Sequence, residues 1–202
     1  MSRNEASEAI DYTMEALGDI EDSKVQEEFY KITLDTLKNT NEKLWYSLTL
    51  KMARLQLTAE KYDEVLASVI SLKDLLRSKP LNEQTKSQLL DVISVEIQAC
   101  ERLQDGERIK ALQEEVAPLL NVAILEPRPM GVIKESSGKL AMRMKNWELA
   151  LSDFNSAFQF YQDIGDHQAK QILKYVVLAG ILSKSDINPF ESKEAKAFKD
   201  DP

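Results

Sequence analysis

The sequence predicts an all-α fold: a right-handed superhelical solenoid of antiparallel helix pairs, running as one helical-repeat segment through residues 1–202. Three observations predict it. Apolar residues recur at spacings of three and four through nearly the whole chain, and no alternating stretch argues for a strand. Glycine and proline number only six each, too few for a loop-rich barrel or sandwich. The connections between apolar stripes are short, about two to six residues, which turns consecutive helices into hairpins.

The elements follow in order. A polar first segment is expected to form a helix over 5–17. Val25, Phe29, Ile32 and Thr36 make one stripe, widened by Leu34 and Leu37, and predict a helix over 23–38. Asn39-Thr40-Asn41 breaks the pattern, and Trp45, Leu48, Met52, Leu55 and Leu57 carry the next helix, 42–58. Tyr62, Val65, Val69, Leu72 and Leu76 predict 61–77, which Ser78-Lys79-Pro80 ends. Asn82 can start a helix over 83–104, whose run from Leu89 to Ile97 is apolar on more than one face and so predicts neighbours on several sides. Asp105-Gly106 is a joint before 107–124, where Pro118 ends or kinks the helix. Pro127 and Pro129 precede a helix over 130–145, and one of them can occupy its first turn. Helices over 147–163 and 167–184 follow, separated by Gly165-Asp166, with a short one expected at 191–199.

Internal spacing favours a solenoid over a closed bundle. Gly138 is followed at +9 by Trp147, at +12 by Ala150, at +16 by Phe154 and at +19 by Ala157. That is the tetratricopeptide spacing, in which a small residue lets two helices approach and an aromatic seals the hairpin. Lys134 and Ala141 stand where the motif's first half usually has aromatics. Ala53 repeats the register with Tyr62, Val65, Val69 and Leu72. Ala99 begins a degenerate copy, with Ala111 at +12 but Arg108 and Glu115 at +9 and +16. These residues are expected to carry shape rather than chemistry.

Composition excludes several functions. The formal net charge of −8 disfavours nonspecific affinity for nucleic acid, which is driven by phosphate neutralisation. One cysteine, Cys100, and one histidine, His167, supply neither a disulfide nor a zinc site of the usual sulfur and imidazole type. Phosphate-loop and zinc-protease motifs are absent. His167 beside Asp166 lacks an identifiable nucleophile and is expected to cap or begin a helix. Cys100 lacks an activating neighbour and is expected to pack. No stretch reaches 18 apolar residues, and the start, MSRNEASEAID, lacks the apolar run of a secretory signal, so a soluble intracellular chain is expected.

The candidate partner-contact residues are basic: Arg128, Lys134, Lys139, Arg143 and Lys145. They are dense for so acidic a chain. Lys139 and Arg143 share one helix face, and Lys134 and Lys145 another. They can meet an acidic partner, or equally form an ordinary solvated face.

The last third carries a resemblance. Met130–Ile133, Gly138–Lys139, Leu173–Tyr175, Ile187–Phe190, Glu194–Lys196 and Asp201–Pro202 resemble the subunit 2 family of the constitutive photomorphogenesis signalosome. Earlier, Phe29-Tyr30 and Leu44-Trp45 resemble the same family. The proteasome-lid regulatory subunit 11 is similar in outline but lacks the Asn188-Pro189-Phe190 segment. The segment at 77–86, RSKPLNEQT and its flank, is shorter and less acidic than the family's.

The resemblance implies a non-catalytic scaffold. That complex removes Nedd8 from cullins through a metalloprotease site in another subunit. Subunit 2 uses a helical arm to help grip cullin–RING ligases near the cullin C-terminal region and the RING protein. It implies other signalosome subunits as partners, a nuclear and cytoplasmic location, and no direct contact with nucleic acid or membrane. The family's PCI winged-helix domain has no counterpart here, so an excised portion of the arm or a shortened relative is expected. Residues the family uses for inositol hexakisphosphate lie mainly in its more N-terminal part, and no cofactor is assigned to this chain. A generic peptide-binding tetratricopeptide module is the remaining alternative.

Overall fold

The computed structural model describes residues 23–37, 41–121 and 125–184. Every regular element among them is a helix: α1 (Ser23–Leu37), α2 (Glu42–Thr58), α3 (Tyr62–Arg77), α4 (Glu83–Leu103), α5 (Gly106–Val116) with a 3₁₀ turn at Ala117–Leu119, α6 (Pro127–Arg143), α7 (Trp147–Asp163) and α8 (Gln168–Leu182). The helices expected at 5–17 and 191–199 lie outside the described residues. The chain divides into two compact units, residues 1–72 and 73–202, with the boundary inside α3.

Side-chain caps explain most helix starts. Asn41, Asn82, Asp105 and Asn146 each accept a hydrogen bond from the backbone N–H three residues on, at 2.8–3.3 Å. Each satisfies one of the donors that a first helical turn leaves unpaired. Helix α6 has no such cap and starts three residues earlier than the apolar pattern predicts. Pro127 stands at its first position, where a missing N–H costs nothing. Helix α5 stops short of the expected 107–124 because Pro118 cannot donate to the ladder, and the chain tightens into the 3₁₀ turn. At α8 the cap belongs to Asp166, whose carboxylate accepts the Gln168 N–H at 3.0 Å. His167 begins the helix but makes no side-chain cap, and its ring is 92% exposed.

Four turns share one backbone design. Glu60, Gln104, Lys145 and Gly165 all take left-handed φ, from 58° to 64°. The residue after each donates to a carbonyl five positions back: Lys61 to Gln56, Asp105 to Cys100, Asn146 to Ala141 and Asp166 to Tyr161, all at 2.9 Å. These bonds satisfy the carbonyls a helix end leaves open, and so offset the strain of a left-handed non-glycine residue.

The turns also set the true repeat register. Counting back from the left-handed residue, Ala53 and Gly138 align with Ile97, not with Ala99. Helix α5 then places Gly106, Ile109, Gln113 and Val116 where α3 has Tyr62, Val65, Val69 and Leu72. Burial agrees: Ile109 and Val116 are buried, whereas Ala111 is exposed. The degenerate copy expected at Ala99 is therefore shifted by two residues. Its motif residues obscured the register because polar side chains there serve another purpose.

In the first unit Tyr30, Leu34 and Leu37 of α1 pack with Leu44 and Leu48 of α2, flanked by Phe29, Trp45, Met52 and Leu55. Ala53, Val65, Val69 and Leu72 are fully buried, and Tyr62 is half-buried. Gln56, almost fully buried, bridges α2 to α3: its amide donates to Glu64 at 2.8 Å and accepts from Ser68 at 3.3 Å.

In the second unit α6 packs against α4, α5 and α7, and α7 against α8. Ala150, Phe154 and Ala157 are fully buried, and Trp147 is half-buried. A Cβ built on Gly138 would lie 2.7 Å from the Phe154 ring. One on Gly131 would lie 2.8 Å from the Tyr161 ring. Gly131 and Gly138 are two turns apart on α6, as Phe154 and Tyr161 are on α7, so two glycine notches receive two aromatic rings in antiparallel order. Phe154 is held from behind as well, stacked on Tyr175 of α8 with centroids 5.2 Å apart.

Alanine ordinarily favours a helix over glycine by about 1 kcal/mol. Here Gly138→Ala and Gly131→Ala should each lower the melting temperature instead, because overpacking costs about 1–3 kcal/mol. Adding Phe154→Leu to Gly138→Ala should cost less than the two single changes summed. Thermal unfolding of the parent and these four variants checks this, and additive losses would show that the notch is not what the glycine provides.

Candidate interaction surface

The basic run of α6 is divided by its surroundings. Lys134 reaches α7 and donates to Asp153 at 2.8 Å. Asp153 is almost fully buried and also accepts from Ser137 at 2.6 Å. An ionic contact thus stands where the repeat motif usually carries an aromatic. Lys139 lies between Glu135, at 2.6 Å, and Glu101 of α4, at 3.3 Å. Burial works against its ammonium, but the two carboxylates outweigh it and hold the Lys139 pKa above the usual lysine value. Burial likewise raises the Glu101 pKa, more than Lys139 lowers it. Tyr161 donates to Glu135 at 2.8 Å, and burial first, then that carboxylate, pushes its pKa up.

Arg128 is exposed and bridges to Asp166 at 3.2 Å. Arg143 and Lys145 differ from the other three: both are exposed, and neither has an ionic partner among the described residues. The fold therefore brings Lys134 and Lys139 into helix-to-helix contacts and leaves Arg143 and Lys145 at the α6–α7 turn.

A second ionic cluster escaped the sequence reading. Lys73, Glu96, Arg108, Glu115 and Arg77 form one chain of charges across the end of α3, α4 and α5. Lys73 meets Glu96 at 2.6 Å and Glu115 at 2.8 Å. Arg108 donates to Glu96 through two nitrogens, at 2.7 and 3.0 Å. Arg77 reaches Glu115 at 3.0 Å. Lys73 and Glu96 are both more than nine-tenths buried. Burial opposes the Glu115 carboxylate, yet Lys73 and Arg77 together lower its pKa. The visible signal was Glu96, a carboxylate inside the apolar run from Leu89 to Ile97. Arg108 and Glu115, the residues that spoiled the third repeat copy, are its partners.

Cys100 is buried, and burial pushes its thiol up to about 11, which removes thiolate reactivity at neutral pH. Among the described residues, no group of three or more His, Cys, Asp or Glu side chains could hold a metal ion, and no helix is long and apolar enough to cross a membrane.

Glu96→Ala should destabilise the fold, but by less than the roughly 3–5 kcal/mol of a fully stranded buried charge, because Lys73 loses one carboxylate and keeps Glu115 at 2.8 Å. Glu115 contributes stability above its ordinary value of 4.5 and loses it as pH falls through its lowered folded value. Glu115→Gln should therefore be less stable than the parent at neutral pH, and the difference should shrink on acidification. Denaturant titrations across that range check both.

No family model matches the chain. It is 37% identical, over its whole length, to "COP9 signalosome complex subunit 2" of Emericella nidulans, and covers 40% of that protein. The Dictyostelium discoideum protein of the same name is 39% identical over 86% of the chain, which covers 39% of it. The Drosophila melanogaster one is 32% identical over the whole chain, which covers 46% of it. A weaker likeness, 28% identity over 69% of the chain and 32% of the relative, links it to "26S proteasome regulatory subunit RPN6" of Saccharomyces cerevisiae. The chain spans less than half the length of these relatives, and within that span it belongs to the COP9 signalosome subunit 2 family.

Proposed function

We propose that this chain is a non-catalytic scaffold segment of a signalosome. It helps the complex that removes Nedd8 from cullins to assemble with its other subunits and to grip cullin–RING ligases near the cullin C-terminal region and the RING protein. The carrying observation is whole-length similarity to proteins named as subunit 2 of that complex. The chemistry of the described residues supports the same reading: the buried charges serve contacts between helices, and the single thiol is buried and inert. In this reading the helix pairs continue as a right-handed superhelix, the architecture suited to presenting a long binding face. It acts in the nucleus and cytoplasm and touches neither nucleic acid nor membrane.

The likeness to RPN6 favours a second reading, a scaffold arm of the proteasome lid. Affinity capture of the full-length protein from its own cells separates the two. Co-purification of the deneddylase subunit and cullins is expected. Recovery of proteasomal ATPases without signalosome subunits would replace the first reading by the second.

A further inference from the structure

We propose that the edge formed by the α4–α5 and α6–α7 turns docks an acidic partner segment carrying bulky apolar side chains. The two turns are equivalent in backbone, with left-handed Gln104 matching left-handed Lys145. Their sequences match as well: Arg102-Leu103 precedes the first, and Arg143-Met144 the second. All four side chains are exposed, with Leu103 at 45% and Met144 at 68%. The turns are neighbours in space. The Arg143 guanidinium lies 3.5 Å from where a Cβ on Gly106 would be, and Lys139 bridges α6 to Glu101 of α4 one turn away.

The edge thus repeats a unit of one guanidinium and one apolar knob, with Lys145 as a further cation. None of these three cations has an ionic partner among the described residues. A cation in the last turn of a helix is favoured by the helix dipole, and that accounts for Arg102 and Arg143. It does not account for a bulky apolar side chain exposed beside each. The carboxylates nearby are mostly committed. Glu101 holds Lys139, and Asp105 caps α5 and accepts the Arg108 N–H. Glu107 and Glu148 sit in the first turns of α5 and α7, where the dipole favours them. A partner that complements the edge therefore offers carboxylates to the three cations and an apolar residue to each knob. Polar rims around apolar anchors are the usual anatomy of a docking surface. The edge is made of this chain's own residues and stands whether or not the ligase reading holds.

Methionine-methyl NMR on the 202-residue chain reads the edge directly, because Met144 is on it and the buried Met130 is an internal reference. The probe is a peptide repeating Glu-Glu-Leu. We expect a saturable shift of Met144 with a Kd of about 0.1–1 mM and no shift of Met130. Arg102→Glu with Arg143→Glu should weaken binding at least about tenfold, and so should Leu103→Ser with Met144 retained as reporter, each with helicity intact by circular dichroism. No shift of Met144 at about 1 mM peptide overturns the proposal. An equal response to polyglutamate removes the apolar half and overturns it as stated. A response to inorganic polyphosphate but not to the peptide would make the edge a polyanion site instead.

Discussion

The ring of Phe154 meets the α6 backbone at Gly138 and stacks on Tyr175 of α8, so a single side chain sets the distances among three helices. The neighbouring notch, Tyr161 over Gly131, repeats the contact two turns away and fixes the register of α6 against α7. Two contacts of this kind leave little freedom to slide or rotate, because any shift drives a ring into backbone. The polar contacts of the same interface depend on that register. Asp153 can receive Lys134 and Ser137, and Tyr161 can reach Glu135, only with the helices held this close.

The α4–α5 pair adds charge to its apolar packing. Beside its buried Ile109, Leu112 and Val116, it places Glu96 between Lys73 and Arg108 and ties Glu115 to Lys73 and Arg77. A buried network of this type adds little net stability over a well-packed apolar one. Its geometry is demanding, however, since each charge is tolerable only with its partner in place. The hairpin is thereby held by directional contacts as well as by packing.

The same logic sorts the basic residues. In sequence Lys134 and Lys139 are candidate partner contacts or solvated charges, because a helix periodicity says which face a residue occupies and nothing about what lies opposite. Asp153 and Glu101 are 19 and 38 residues away in sequence from the lysines they hold. Only after those pairs are drawn do Arg143 and Lys145 stand apart as charges at a turn with no ionic partner among the described residues. Arg102-Leu103 becomes comparable with Arg143-Met144 only once the two turns are superposed by their left-handed residues.

The helices were legible in the sequence because they depend on local chemistry. Apolar spacing, asparagine and aspartate caps, and proline and glycine breaks place α2, α3, α7 and α8 to within a residue or two of where they are found. The close approach at Gly138 was legible too, since a glycine within a helix calls for a reason and Phe154 lies at the spacing that supplies it. Gly131 with Tyr161 was not, because Tyr161 lies outside that spacing and only the antiparallel packing of α6 on α7 brings the two together. What the tertiary structure alone decided is which charges meet and which residue of α4 stands in the repeat register. The first depends on distances between helices remote in sequence. The second depends on a left-handed φ at Gln104, which no side chain there announces.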